Sequence, residues 1–336
     1  MKSTKDPQAA DIKKWRIQMK IYRFFVGVLA LVAYVCANAQ YPDRPIRIIV
    51  PFAQGGGTDT SARLVGKALA QTLGQEIVFE NMPNSEGEAA ALETARAKAD
   101  GYTLFVGSAT AMSYVPAVRK VQPYDPLRDF TPIAPFYIAS FFLFANPQVP
   151  SNSLRDLIDF ARSNPGRLRI GIGTGTATLA TAELLAGSQT QMTSVTYKGE
   201  APTAADLIAG KVDLAFATPA VGLARVKEGK LKALVTMLPK RSALLADVPT
   251  LAESGLPAMD ILPWGAFFGP AGLPPEVLSR LRGALREVLA RPEIREQMEA
   301  LGYPLLMISH QELEATMKQQ LDVWRRAVES GRLVRN

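Results

Sequence analysis

The sequence predicts an α/β protein of two lobes joined by two crossing strands, on three observations. Short β-branched runs alternate with helical stretches from residue 44 onward, and a glycine-rich segment lies between a strand and a helix in each half. Two extended apolar connectors flank the middle of the chain. The 336 residues suit about two globular units.

In the first unit, Ile46 to Val50 reads as a strand, Thr60 to Leu73 as a helix stopped by Gly74, and Glu76 to Glu80 as a second strand. Glu86 to Ala99 reads as a helix closed by Asp100-Gly101, and Thr103 to Gly107 as a third strand. Strand-helix-strand units of this length imply parallel pairing with right-handed crossovers. The second unit repeats the pattern: helix Leu154 to Ser163, strand Leu168 to Ile172, helix Ala177 to Ala186, strand Ser194 to Tyr197, helix Thr203 to Ala209, and strands Val212 to Phe216 and Leu231 to Val235. Amphipathic helices Pro275 to Ala290 and Gln311 to Glu329 close the chain, with Trp324 on the apolar face of the last.

The connectors are Phe141 to Pro147 and Ile261 to Pro270. If both cross between lobes, the first lobe comprises residues 40–143 and 264–336 and the second 144–263, with a ligand cleft between them.

The N-terminus carries an export signal. A basic stretch ending at Arg23 leads into an apolar run from Phe24 to Ala37 and the triplet Ala37-Asn38-Ala39. This is the order of a secretory signal, with an apolar run shorter than the ~20 residues a spanning helix needs. Cleavage is expected near Ala39, which makes the mature protein periplasmic, and Met19 is an alternative start to Met1. This segment also explains the net charge of +7: after residue 39 there are 31 basic and 29 acidic residues, with no basic run of the kind nucleic acid requires.

Cys36 is the only cysteine and lies inside the signal, which leaves the mature chain without a disulfide or a thiolate nucleophile. His310 is the only histidine and follows a helix-capping serine, Ser309. Histidine-dependent hydrolysis and histidine-zinc chemistry have no place here, and no metal or cofactor is expected.

Two segments carry the functional reading. Val50-Pro51-Phe52-Ala53-Gln54-Gly55-Gly56-Gly57-Thr58-Asp59 sits at the carboxyl end of the first strand, where open α/β sheets bind ligands. Consecutive glycines admit close backbone approach, and the helix start offers unpaired N–H groups to an anion. The lysine of a phosphate loop is missing. The second segment, Gly171-Ile172-Gly173-Thr174-Gly175-Thr176-Ala177-Thr178, has GxGxG rather than dinucleotide spacing, with no acidic residue among Thr193 to Thr196 to hold a ribose. One helix-start loop per lobe facing one cleft would pinch an anion. The rivals are a cofactor-using α/β reductase built on the Gly173 loop and a sensor input protein without transport.

The run Tyr41 to Phe52 continuing into Gly55-Gly56-Gly57-Thr58-Asp59 resembles the mature start of tripartite tricarboxylate transporter receptors, also called Bug-type receptors. The likeness continues through Asp100-Gly101-Tyr102-Thr103-Leu104, Tyr124-Asp125-Pro126, Tyr197-Lys198-Gly199, Gly210-Lys211-Val212-Asp213-Leu214, Asp247-Val248-Pro249-Thr250 and Ala271-Gly272-Leu273-Pro274-Pro275. It implies a type II periplasmic-binding-protein fold and a monomeric receptor that delivers a small mono-, di- or tricarboxylate, including aromatic ones, to permease subunits in the membrane. By position it implies ligand contacts at Phe52, Ala53, Gly56, Gly57, Thr58 and Asp59, at Ser108, Ala109 and Thr110, at Thr174, Gly175, Thr176 and Ala177, and at Tyr197 and Thr218. Trp264 would line the pocket or pack the hinge.

The chain also departs from the family pattern. Ala217-Thr218 stands where many members have Asp-Asn, which disfavours a ligand amine, and Met82 to Gly87 replaces Arg-Pro-Gly-Ala-Gly-Gly.

Overall fold

The computed structural model describes residues 41–83, 85–259 and 263–335. The predicted export signal, Cys36, and Ile261-Leu262 of the return connector lie outside the described residues.

The first half follows the predicted alternation: β1 (Ile46–Val50), α1 (Gly57–Leu73), β2 (Ile77–Asn81), α2 (Glu88–Ala95) and β3 (Thr103–Ser108). A π turn, Thr110–Tyr114, then runs into the short α3 (Val115–Val118), followed by β4 (Phe130–Ile138) and β5 (Phe142–Ala145). Next come α4 (Leu154–Ser163), β6 (Arg169–Ile172), α5 (Gly175–Ser188), β7 (Thr193–Thr196), α6 (Glu200–Ile208), β8 (Leu214–Ala217), α7 (Pro219–Lys227) and β9 (Lys232–Thr236). The chain ends with β10 (Trp264–Pro270), α8 (Pro275–Leu289), α9 (Pro292–Leu301) and α10 (His310–Glu329).

The strands form two five-stranded sheets, ordered β2-β1-β3-β10-β4 and β7-β6-β8-β5-β9. The expectation of parallel pairing holds only for part of each sheet. β1 runs parallel to β2 and β3, and β6 to β7 and β8, whereas β10 and β5 are inserted antiparallel to their neighbours. These two strands are the apolar connectors. Every residue of Phe142–Ala145 and of Trp264–Pro270 is buried, so each run needs cover on both faces and finds it inside a sheet.

The chain leaves the first sheet through Ala139-Ser140-Phe141, which places Phe142 and Leu143 in the second. The Ala139 N–H donates to the Pro263 carbonyl at 2.6 Å and the Ser140 N–H to Gly302 at 2.8 Å, tying the outgoing crossing to the returning chain. Trp264 is 1% exposed in β10, pairs with Ile138 and packs 6.3 Å from the Phe268 ring.

Local rules account for the helices. In α4, Leu154, Leu157, Ile158 and Ala161 make one buried stripe, and Ser153 caps it by accepting the Asp156 N–H at 3.1 Å. In α10, Ser309 and Glu312 form a capping box, and Leu313, Met317, Leu321, Trp324 and Ala327 face the core. The Trp324 ring meets Tyr114 edge-on at 5.0 Å.

Candidate functional site

The glycine-rich segment after β1 is shorter as a loop than its composition suggests, because α1 begins at Gly57 rather than Thr60. Gly56 occupies the N-cap without a side-chain cap, and Gly55 takes φ +80°, a left-handed conformation that favours glycine.

Asp59 replaces the missing cap from inside the helix. Its carboxylate accepts the Gly55 N–H at 2.9 Å, Arg63 Nε at 3.0 Å and Asn81 Nδ2 at 2.8 Å. Asn81 also donates to the Phe52 carbonyl at 2.9 Å and accepts from Arg63 at 2.9 Å. Burial pushes the Asp59 carboxyl up, but the bonds from Arg63, Gly55 and Asn81 outweigh it and hold the group below the usual carboxylate range. The side chain is 2% exposed and is committed to bracing its own loop.

The second segment is braced without charge. Thr174 caps α5 by accepting the Ala177 N–H at 3.1 Å, and Thr178 Oγ1 donates to the Thr174 carbonyl at 3.1 Å. A Cβ on Gly173 would lie 2.7 Å from the Gly199 carbonyl oxygen, and one on Gly175 would lie 2.6 Å from the Tyr114 ring. Tyr114 comes from the π turn after β3, and burial pushes its hydroxyl up to about 12. The start of α5 therefore rests against the first lobe.

The start of α1 meets the second lobe through a chain of hydroxyls. A Cβ on Gly57 would fall 2.0 Å from Tyr303 Oη. The Tyr303 hydroxyl is under the influence of both Thr58 and Thr218, and Thr58 Oγ1 lies 2.9 Å from Tyr137 Oη. Thr218, the N-cap of α7, donates its N–H to Glu200 Oε1 at 3.2 Å and its hydroxyl to Oε2 at 2.6 Å. Glu200 opens α6, and burial pushes its carboxyl above the usual range against the two bonds from Thr218. Burial likewise raises both tyrosine hydroxyls, Tyr137 to about 12. Thr58, Tyr137 and Tyr303 from one lobe thus meet Thr218 and Glu200 from the other.

The carboxyl ends of the parallel strands consequently turn four helix starts, those of α1, α5, α6 and α7, toward the seam between the lobes. Such starts expose N–H donors and a partial positive charge. Residues 61–333 match the family model of the "tripartite tricarboxylate transporter family receptor". The chain belongs to this family.

Among solved structures, the receptor is similar to one described as a periplasmic transporter (32% identity, TM-score 0.82, covering 88% of this chain and 100% of that one). It is also similar to Rpa4515 of R. palustris with adipate (29% identity, TM-score 0.81, 87% and 98% covered). A third is MatC of Rhodopseudomonas palustris with bound malate (30% identity, TM-score 0.77, 86% and 100% covered). The family is one of solute-binding receptors, and these neighbours share the two-lobed α/β fold.

The other predicted positions of the receptor divide into two sets. Ala109 and Thr110 are buried where β3 gives way to the π turn, and Ser108 Oγ accepts the Ala111 N–H at 3.2 Å, all beside Tyr114. Thr176 and Ala177 are buried in the first turn of α5. Phe52 is half-buried and Ala53 exposed at the mouth of the first loop. Tyr197 stands apart: its hydroxyl donates to Asp206 Oδ2 at 3.0 Å and so is engaged by α6, outside the hydroxyl cluster. Tyr137, Tyr303 and Glu200 are absent from the sequence-derived set. Among them only Glu200, next to Tyr197-Lys198-Gly199, adjoins a motif that could have drawn attention to it.

Proposed function

We propose that the receptor captures a small carboxylate in the periplasm between its two lobes and hands it to the membrane permease of a tripartite tricarboxylate transporter. The observation that carries this reading is the seam itself. The start of α5 lies against Tyr114 of the first lobe, with no room for a Cβ at Gly175, and the start of α1, where Tyr303 of its own lobe fills the place of a Gly57 Cβ, faces Thr218 and Glu200 of the second. Backbone N–H groups at two helix starts suit a carboxylate, and adipate and malate are held by related receptors. A ligand that touches both starts favours the closed arrangement over the open one, and that differential affinity drives closure. The lobes are built on the two sheets and hinge where the outgoing Ala139 bonds the returning Pro263. Binding and release require no bond to be made or broken.

A thermal-shift screen of the mature protein tests this, using citrate, malate, adipate and benzoate against glucose and spermidine. At a hundredfold excess over its Kd a bound carboxylate should raise Tm by about 5 °C. Stabilisation by glucose or spermidine with none from any carboxylate contradicts the reading. Loss of uptake of the identified ligand on deleting the permease genes tests delivery, and intact uptake would instead make this a sensor input protein.

A further inference from the structure

We propose that Glu200 is a specificity-determining residue of this site: its carboxyl occupies the anion position at the start of α7 and restricts the ligand to a monocarboxylate whose far end donates hydrogen bonds, above all an ammonium group. This rests on the carboxylate-receptor reading above.

Three observations carry it. First, Glu200 already holds what a second ligand carboxylate would seek there. The Thr218 N–H, at the head of α7, donates to Oε1 at 3.2 Å and the Thr218 hydroxyl to Oε2 at 2.6 Å. The resident side chain sits where a helix start would hold a free anion. Ala217, just before Thr218, leaves the end of β8 without a carboxylate of its own, and Glu200 brings one from 17 positions earlier in the sequence.

Second, Glu200 shares one cluster with the α1 start. The Tyr303 hydroxyl is under the influence of both Thr218 and Thr58 and stands where a Gly57 Cβ would fall. The electrostatic influence of Glu200 reaches both Tyr303 and Tyr137. A dicarboxylate anchored at Gly57 would bring its second charge toward Glu200, and like charges at close range are costly.

Third, Glu200 lacks a cationic partner. Burial and the two Thr218 bonds govern it, and no arginine or lysine acts on it among the described residues. Arg119, which lies near Tyr114 on the first-lobe side, is held by Glu88 at 2.6 Å and by Glu86. The half-buried carboxyl has donors in Thr218 but no counter-charge, and an ammonium group on the ligand would supply one.

Calorimetry at pH 7.5 on the full mature protein tests the proposal with chain-matched sets: butanoate, 4-aminobutanoate, 2-aminobutanoate and succinate, then hexanoate, 6-aminohexanoate and adipate, with malate alongside. Wild type should bind an aminated member at least tenfold more tightly than the dicarboxylate of equal length. Glu200→Gln, which keeps shape and removes charge, should erase that preference while leaving the plain monocarboxylate within threefold. A dicarboxylate that binds wild type as tightly as its aminated match overturns the proposal. So does Glu200→Gln if it weakens all members alike, the behaviour of a strut between lobes, or leaves the aminated preference intact. Failure of every carboxylate on wild type would instead sink the receptor reading itself.

Discussion

The two glycine-rich segments present a helix start to the same seam by opposite means. The first commits a carboxylate to its own backbone: Asp59 ties Gly55, Arg63 and Asn81 into one charged brace beneath an uncapped Gly56. The second relies on the Thr174 hydroxyl cap and on close packing of Gly173 and Gly175 against Gly199 and Tyr114. A charge in a binding loop therefore need not face the ligand. Asp59 shapes the α1 start, whereas Glu200, which no glycine-rich signature marks, carries its carboxyl into the cluster between the lobes.

The largest effect should come from filling either close approach. Gly57→Val places carbon within 2.0 Å of Tyr303 Oη, and Gly175→Val within 2.6 Å of the Tyr114 ring. Gly175→Val should impose about 3 kcal/mol of overpacking on the closed state, roughly a hundredfold weaker ligand binding by calorimetry, and Gly57→Val should impose a similar cost on the first lobe itself by displacing Tyr303 from the α1 start. A Gly57→Val protein with wild-type affinity would show that the packing of Tyr303 on the α1 start does not shape the site.

Bracing by charge and bracing by cap should differ in stability. Asp59→Ala removes the acceptor of the Gly55 N–H, one of the two acceptors of the Asn81 amide and the ion partner of Arg63, so denaturant unfolding should report a loss of about 2–3 kcal/mol. Thr174→Ala removes one neutral cap and should cost about 1 kcal/mol. Equal losses would dissolve the distinction.

The two carboxyls should also have opposite pH signatures. Asp59 is held low in the folded protein, so its contribution is present above the ordinary aspartate pKa and is lost as pH falls through the lowered value. Glu200 is pushed up, so its contribution is full below the ordinary glutamate pKa and is lost as pH rises through the raised value. In Tm measured from pH 3 to 9, Asp59→Asn should flatten the acid limb, and Glu200→Gln should raise Tm near neutrality relative to wild type while matching it in acid.

The smallest effect lies at the rim. Glu86 takes φ 59°, a left-handed conformation, at a position where the family pattern has glycine. Glu86→Gly should relieve about 1 kcal/mol of backbone strain, partly offset by the 3.9 Å contact with Arg119. A clear loss of stability on denaturant unfolding would mean that this contact outweighs the strain.

Much of this was legible in the chain, and the exceptions have physical reasons. The α4 and α10 boundaries follow from Ser153 and Ser309 and from the apolar stripes behind them. β4 was hidden by Pro132 and Pro135, which argue against an interior strand; it lies at the sheet edge and pairs through irregular register with β10, where proline is tolerated. The antiparallel sense of β5 and β10 was not legible, because a fully apolar run marks burial on both faces but not pairing direction. The α1 start was misplaced by three residues because a triple glycine reads as loop, while the bond from Gly55 to Asp59 draws Gly57 into the helix. In the candidate site, Thr58 and Thr218 are among the positions that the family resemblance implies. Their partners Tyr137, Tyr303 and Glu200 come from three separate elements that only the fold brings together.

The central claim is that one carboxylate is held by the starts of α1 and α5 together. Amide NMR on the mature protein, titrated with whichever carboxylate stabilises it most, tests this directly. The account predicts that the N–H signals of Gly56 and Gly57 and those of Gly175 and Thr176 shift along one saturation curve with a single Kd. Movement of only one pair at saturation, or of neither, would contradict it.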